Sequence, residues 1–388
     1  MSHRLKILHV LSSWESGAAR ECAAFAAAFA AAFAAAFPRD EFESEICVLA
    51  GPAHQRVPDV PTTTLGLRWS FDVSASLGMR RILRRFRPEV IHTWDAASHC
   101  YGAMLSGSIR VLAEKREPAI PSGWWQKWVD RKTYRFIVPR ENSGFPASQT
   151  IVIPPAAVPV PCSDPIPAAT LLAKMELPLA TPSKDYTPVF QSQLGYQRNK
   201  PLSPQDAPLL IGIALPLCTE HRILDALWVF ETLNHVHLNF HAFFIGDGKD
   251  RELCLRSRDR WQLSSRVHFL GSRPDLERLL PSFDALLHLS PSAEHSGTIL
   301  SAMSCGVPVI ALETPESEEY ILDGMTGILI PREGDFRFYR RTAAKRLLYL
   351  LENVELRRSM QIAAKDRVEQ KFNFDVAVQK RIQAYREL

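Results

Sequence analysis

The sequence predicts an α/β chain built as two Rossmann-like domains, and three features carry that prediction. Short apolar runs alternate with stretches of helical period from end to end, as in parallel strands joined by crossover helices. Near the middle, residues 154–208 are crowded with proline, including Pro154, Pro155, Pro159, Pro161, Pro165 and Pro167. Proline neither donates to a ladder nor sits inside a helix, so this stretch reads as a linker or surface insertion. The length, 388 residues, suits one domain on either side of it.

The strand candidates before the break are Lys6–Leu11, Glu45–Leu49, Val90–Thr93, Phe136–Val138 and Thr150–Ile153. After it they are Leu209–Ile213, Phe243–Ile245, Val267–Leu270, Ala285–Leu289, Val307–Ala311 and Gly327–Ile330. Composition excludes several classes. The 46 basic and 42 acidic side chains leave a formal charge of +4, too mild for a nucleic-acid binder. A hydrophobic share of 46% and a charged share of 23% are ordinary for globular chains and exclude wholesale disorder. The cysteines are scattered, odd in number and never in a Cys-x-x-Cys pair, so neither a disulfide framework nor a zinc site is expected.

A reducing cytosol fits that cysteine usage. Met1 to Lys6 runs straight into a strand-like segment without a signal-peptide cleavage pattern, and no apolar run is long enough to span a bilayer. The tract from Ala23 to Phe37 is all Ala or Phe, with Phe25, Phe29, Phe33 and Phe37 at a four-residue period. Such a helix keeps its rings on one slowly drifting stripe. It reads either as a lengthened core helix or as a ridge for a partner or membrane. His235, His237 and His241 have metal-like spacing but flank a predicted strand with no third ligand class nearby, so no metal is expected.

Several segments in order then become recognisable. Phe244-Ile245-Gly246-Asp247-Gly248, Val267-His268-Phe269-Leu270-Gly271, Ser301-Ala302-Met303-Ser304-Cys305-Gly306-Val307-Pro308 and Asp323-Gly324-Met325-Thr326-Gly327 follow one another in the second half. Ser16-Gly17-Ala18-Ala19-Arg20 and Pro88-Glu89-Val90-Ile91-His92-Thr93-Trp94 stand in the first. Together they resemble the retaining GT-B glycosyltransferases of the group 1, family 4 class. The resemblance implies two Rossmann-like domains facing across a cleft, 1–160 on the acceptor side and 208–366 on the nucleotide-sugar side. Residues 161–207 are then the Pro-rich insertion, and 367–388 the helix that crosses back to the N-terminal domain. It also implies a nucleotide-diphosphate sugar as donor substrate, no bound cofactor or metal, and a glycan or lipid-linked acceptor.

The resemblance also shows which chemistry positions have changed. A departing diphosphate needs cations and helix amides, and a ribose needs carboxylates. Aligned without gaps, Pro216 stands at the family's phosphate-binding arginine and His221 at its lysine; the adjacent Arg222 is a substitute cation or a solvated surface charge. Ala293 and Ser301 stand at the paired glutamates, with Glu294 one residue away. Ser296 and Gly297 lead into a helix whose free amides would hold an anion, Gly17 is what remains of the N-terminal glycine pair, and Glu319 matches a family glutamate. His92 is either a catalytic contact, with Glu294, or a packed strand-end histidine. Glycine is scarce overall, 18 of 388 residues against a usual ~7%, and some of the missing glycines belong to these loops.

Two functions follow from the same residues. One is a cytoplasmic transferase with a degraded donor site, acting on an envelope or polysaccharide acceptor. The other is an inactive pseudo-glycosyltransferase that binds or scaffolds a partner, including a partner glycosyltransferase. A nucleotide-sugar epimerase would need an acid/base pair that is not convincingly placed. The helix bearing Arg80, Arg81, Arg84, Arg85 and Arg87 reads as a solvated face or as peripheral attachment to anionic lipid at the inner face of the membrane.

Overall fold

A computed structural model describes residues 4–12, 41–50, 60–67, 72–114, 124–138, 145–153, 155–157, 165–174, 208–236, 239–273, 275–292, 297–332 and 336–388. The Ala-Phe tract, Gly17, Ala293, Glu294 and Ser296 lie outside these residues. The chain divides into two compact units: Met1–Val158 with Phe372–Leu388, and Pro159–Lys371.

The first unit runs β1 (Leu5–Leu11), β2 (Phe42–Val48), β3 (Thr62–Thr64), α1 (Val73–Phe86), β4 (Val90–Thr93), α2 (Ala96–Leu105), β5 (Arg110–Glu114), α3 (Trp124–Lys132), β6 (Arg135–Val138) and β7 (Thr150–Val152). The second runs α4 (Ala168–Lys174), β8 (Leu209–Ala214), α5 (Ile223–His235), β9 (Phe240–Ile245), α6 (Arg251–Arg260), β10 (Val267–Gly271), α7 (Leu276–Leu279), β11 (Ala285–His288) and α8 (Gly297–Ser304). It continues through β12 (Val309–Leu312), α9 (Pro315–Tyr320), β13 (Ile328–Ile330), α10 (Phe336–Glu352) and α11 (Val354–Lys371). The last helix, α12 (Phe374–Arg386), belongs to the first unit.

Both sheets are parallel, in the orders β3-β2-β1-β4-β5-β6-β7 and β10-β9-β8-β11-β12-β13. Parallel strands are covered on both faces and so read as near-continuous apolar runs; all six residues of β9 are buried. That is why the sequence reveals all six strands of the second sheet. Two strands of the first escaped it. β3 is three threonines just after Pro61, and β5 is Arg-Val-Leu-Ala-Glu, each too short in apolar residues to register. Inside the stretch read as linker stands α4, with Leu171 and Leu172 buried. It is tied into the second unit through the Ile166 amide, which donates to the Arg278 carbonyl at 3.0 Å.

The return to the first unit is abrupt. Asn373 caps α12, its side-chain oxygen accepting from the amides of Asp375 at 2.9 Å and Val376 at 3.2 Å, which ends α11 and starts a new helix direction. From α12, Ala377, Val378, Ile382 and Tyr385 pack with Ile7, Val48, Val90 and Leu112 of the first sheet. The crossing helix expected from the resemblance is thus present.

The glycines of the Ile245-Gly246-Asp247-Gly248 turn are set by close backbone approach. The amides of Leu215 and Leu217 donate to the carbonyls of Ile245 and Asp247, each at 3.1 Å, so the chain after β8 stays laced to the chain after β9. A Cβ on Gly246, which sits at φ +141°, would lie 2.2 Å from the Leu215 carbonyl oxygen, and one on Gly248 2.6 Å from that of Leu217. Only glycine fits here. Gly246→Ala is therefore expected to lower the urea midpoint of unfolding, corresponding to a loss of roughly 3 kcal/mol.

Candidate functional site

In open parallel sheets, ligands bind beyond the carboxyl ends of the strands where the strand order reverses. Those points lie between β8 and β11 in the second unit and between β1 and β4 in the first. Each unit closes its own reversal point with a side-chain bridge.

In the second unit the chain after β8 makes a 3-10 turn over Thr219–His221, and Arg222 then takes a left-handed conformation, φ 58°, to start α5. This turn presents His221 to the strand on the other side. Its Nδ1 lies 3.0 Å from Ser290 Oγ, just past β11, and Ser290 Oγ also accepts from the Ser292 amide at 3.1 Å. His288, the last residue of β11, is buried, and among the described residues its Nδ1 makes no hydrogen bond. Burial, then the nearness of His221, pushes His288 down to about 3. His221 is also lowered, first by burial, with Glu220 partly restoring it and Lys249 lowering it again. Both imidazoles are neutral at pH 7.

The neighbouring cations each hold an acid. Lys249 pairs with Glu220, and Arg251 lies 3.5 Å from Asp247. The sequence offered Arg222 as a donor-site cation; the structure sets its guanidinium 4.5 Å over the Tyr339 ring and 3.9 Å from Asp225. Asp225 is buried and accepts from Arg340 Nε at 2.6 Å and from the Tyr339 hydroxyl. Arg222 therefore helps fasten α5 to α10. Pro216 brings no donor, and its carbonyl accepts from the Cys218 amide at 2.8 Å.

Gly297 opens α8, and Ser301 lies buried one turn further along it. The Ser301 carbonyl accepts from the Ser304 hydroxyl at 2.8 Å. Glu319 is half-buried on α9, and its carbonyl accepts from Arg367 Nη2 at 2.7 Å. The acidic run before it has a local role. Thr314 and Ser317 form a capping box, and Glu316 and Glu318 sit in the first turn of α9, where negative charge complements the helix dipole.

In the first unit His9 and His92 face each other in register across β1 and β4, with ring centroids 5.5 Å apart. The Ser12 amide donates to Asp95 Oδ2 at 2.8 Å, and Asp95 also caps α2. His92 is fully buried: its Nδ1 is 2.6 Å from the Tyr385 hydroxyl and its Nε2 3.6 Å from Glu114 Oε1. Arg381 donates to the same Glu114 oxygen from Nε at 3.1 Å and Nη2 at 3.0 Å, while its guanidinium lies 5.5 Å over Trp94. Trp94 Nε1 donates to His9 Nδ1 at 3.3 Å. Burial lowers the pKa of His92, partly offset by Glu114. Against burial, which alone would raise it, Arg381 and then His92 hold the Glu114 carboxyl below its ordinary value.

Of the residues singled out in the sequence, His92 thus belongs to a buried hub fastening α12 to the sheet, and His221 to the bridge at the second reversal point. Sequence reasoning missed Glu114, Arg381, Tyr385, His288 and Ser290. Arg381 and Tyr385 did leave a trace, an i, i+4 pair on the closing helix. Among the described residues no group of three or more His, Cys, Asp or Glu side chains could hold a metal ion. No helix among them is long and apolar enough to cross a membrane.

Residues 219–353 match the family model described as "Glycosyl transferases group 1". The chain is 30% identical over 157 residues to N-acetyl-alpha-D-glucosaminyl L-malate synthase of Bacillus anthracis, an alignment spanning 40% of either protein. Its fold is similar to that of Anabaena HepE, solved in complex with UDP-glucose, with a TM-score of 0.68 and 17% identity over 99% of this chain and 100% of that one. It is also similar to WaaG, a glycosyltransferase involved in lipopolysaccharide biosynthesis, with a TM-score of 0.62 and 13% identity over 96% of this chain and 98% of that one.

Two measurements probe these bridges. Arg381→Met leaves Glu114 buried without its counter-charge and is expected to cost about 3–5 kcal/mol in denaturant unfolding. His288 binds a proton more readily unfolded, near pH 6.5, than folded, at about 3. Its contribution is whole above pH 6.5 and is lost as the pH falls towards 3, at up to ~1.4 kcal/mol per pH unit. His288→Leu is expected to flatten that part of the stability profile.

Proposed function

We propose that the chain is a group 1 glycosyltransferase on a GT-B fold whose donor end grips a nucleotide diphosphate too weakly for efficient transfer. The observation that carries this reading is the bridge of His221 to Ser290 beside the buried His288. Neutral imidazoles stand where a departing diphosphate needs fixed positive charge. The family resemblance puts cations at the positions of Pro216 and His221, and removing one charge-assisted hydrogen bond costs about 1.5–3 kcal/mol. Removing two amounts to two to four orders of magnitude in donor affinity. Ser301 offers one hydroxyl where a carboxylate would grip a ribose diol.

Within this reading, Gly297, Ser301 and Glu319, with Gly17, Glu294 and Ser296, are the remaining donor-side and catalytic candidates. His92 acts through its hold on Tyr385. The acceptor is an envelope or polysaccharide glycan, free or lipid-linked, a class supported by the likeness to a lipopolysaccharide glycosyltransferase. The protein works in the cytoplasm or peripherally at the inner face of the membrane. A non-catalytic role beside a partner glycosyltransferase is the second reading, favoured by the engagement of Arg222 with Tyr339 and Asp225.

Calorimetric titration at pH 7.5 with UDP, GDP, UDP-glucose and GDP-mannose separates the outcomes. The expected result is no saturable binding tighter than about 1 mM, with Pro216→Arg combined with His221→Lys raising UDP affinity at least about tenfold. Micromolar binding by the natural sequence, accompanied by donor hydrolysis, would falsify the weak-donor reading.

A further inference from the structure

The His221–Ser290 bridge joins two groups that can exchange roles without parting. Ser290 is buried, and its Oγ accepts from the Ser292 amide at 3.1 Å. A hydroxyl has one proton to give and two lone pairs to offer. One lone pair and the proton therefore remain for His221 Nδ1, 3.0 Å away. With a neutral ring, Ser290 either donates to a bare Nδ1 or accepts from Nδ1–H. With a protonated ring both nitrogens carry hydrogen, and Ser290 accepts. The bridge persists when the ring gains a charge.

The surroundings direct a proton to His221 rather than to its neighbour. His288 is fully buried and pushed down to about 3, in part by His221 itself, so it stays uncharged in mild acid. His221 is only half-buried; burial lowers it, and Glu220 works the other way. The other charges around the turn are already engaged. Lys249 pairs with Glu220, and Asp250 Oδ2 accepts from the Thr219 amide at 2.7 Å. Arg251 lies 3.5 Å from Asp247, and Arg222 is taken by Tyr339 and Asp225. Glu294 and His295, which follow β11, lie outside the described residues. Among those described, His221 is the group at this reversal point whose charge mild acid changes.

On the reading of this end as the donor end, we propose that a nucleotide diphosphate binds there together with one proton from solvent, carried on the His221 ring. An anion within a few ångströms of an imidazole favours its charged form. The His221 pKa is then higher with ligand bound than without it. Affinity is accordingly greatest below the free value and is lost as the pH rises through the bound one. A lysine at the same position stays charged throughout this range and confers no such dependence. Proton uptake thus makes the grip on the donor conditional on pH, where a fixed cation makes it permanent.

UDP-glucose is the probe, because its doubly esterified diphosphate lacks the terminal phosphate that titrates near pH ~6. Its charge is therefore the same at pH 5.5 and 7.5. Calorimetric titration of the full chain at both values, repeated in buffers of different ionisation enthalpy, reads affinity and proton uptake together. The dissociation constant is expected to be about tenfold lower at pH 5.5, with roughly half a proton or more taken up per ligand midway. His221→Gln should abolish both the tightening and the uptake, and His221→Lys should bind equally at the two values. Thermal unfolding at pH 5.5 verifies that each variant is folded. Equal affinity of the natural sequence at both values, or a tightening that His221→Gln retains, overturns the proposal. Absence of binding at either value also overturns it, while the weak-donor reading stands. Micromolar binding at pH 7.5 that tightens further through His221 does the reverse, overturning that reading and supporting the proton coupling.

Discussion

A parallel sheet covered by helices has no face left to water, and both units are shaped by that constraint. Every strand residue must be apolar or satisfied by a neighbour, yet this chain threads histidines through its strands. His9 and His92 lie in the first sheet, and His241, His268 and His288 in the second, all buried. Burial favours the uncharged ring; His9, His92, His241 and His268 each meet a partner, whereas the Nδ1 of His288 makes no hydrogen bond among the described residues. His241 and His268 meet each other, Nδ1 to Nε2 at 3.0 Å, and burial takes His268 down to about 4.

The two reversal points answer the same demand with opposite chemistry. Beside the first, charge fastens α12 to the sheet, with Glu114 of β5 held between Arg381 and His92. The second is fastened without it, through His221 and Ser290. The second unit does not lack cations. Arg222 and Arg340 are spent on Asp225, where they lock α5 to α10, and Arg367 is spent on the carbonyls of Glu319 and Tyr320. Positive charge holds helices together here.

What was legible in the sequence follows from range. Strands announced themselves by local apolar runs, and the closing helix by resemblance to the family. Motif order was enough to indicate the fold. β3 and β5 were illegible because three threonines and a run with charged ends look like loop until neighbouring strands supply their pairing. The side-chain bridges were illegible for a different reason. Arg381 and Glu114 are 267 residues apart and His92 and Tyr385 293 apart, and nothing local marks either pair. Arg222 read as a phosphate cation or a solvated surface charge, and its contacts with Tyr339, more than a hundred residues away, and with Asp225, three residues away, were not marked locally.

The Asn373 cap has a consequence for how the molecule is made. Domains generally fold as they leave the ribosome, the N-terminal one first. Here the first unit takes α12 from a stretch synthesised after the whole of the second unit. Until Phe374 to Arg386 emerges, Glu114 and His92 have no Arg381 or Tyr385 to meet, and the apolar side of the first sheet that α12 covers stays open. The second unit, contiguous in sequence, has all its elements before then, so the half translated first is the half completed last.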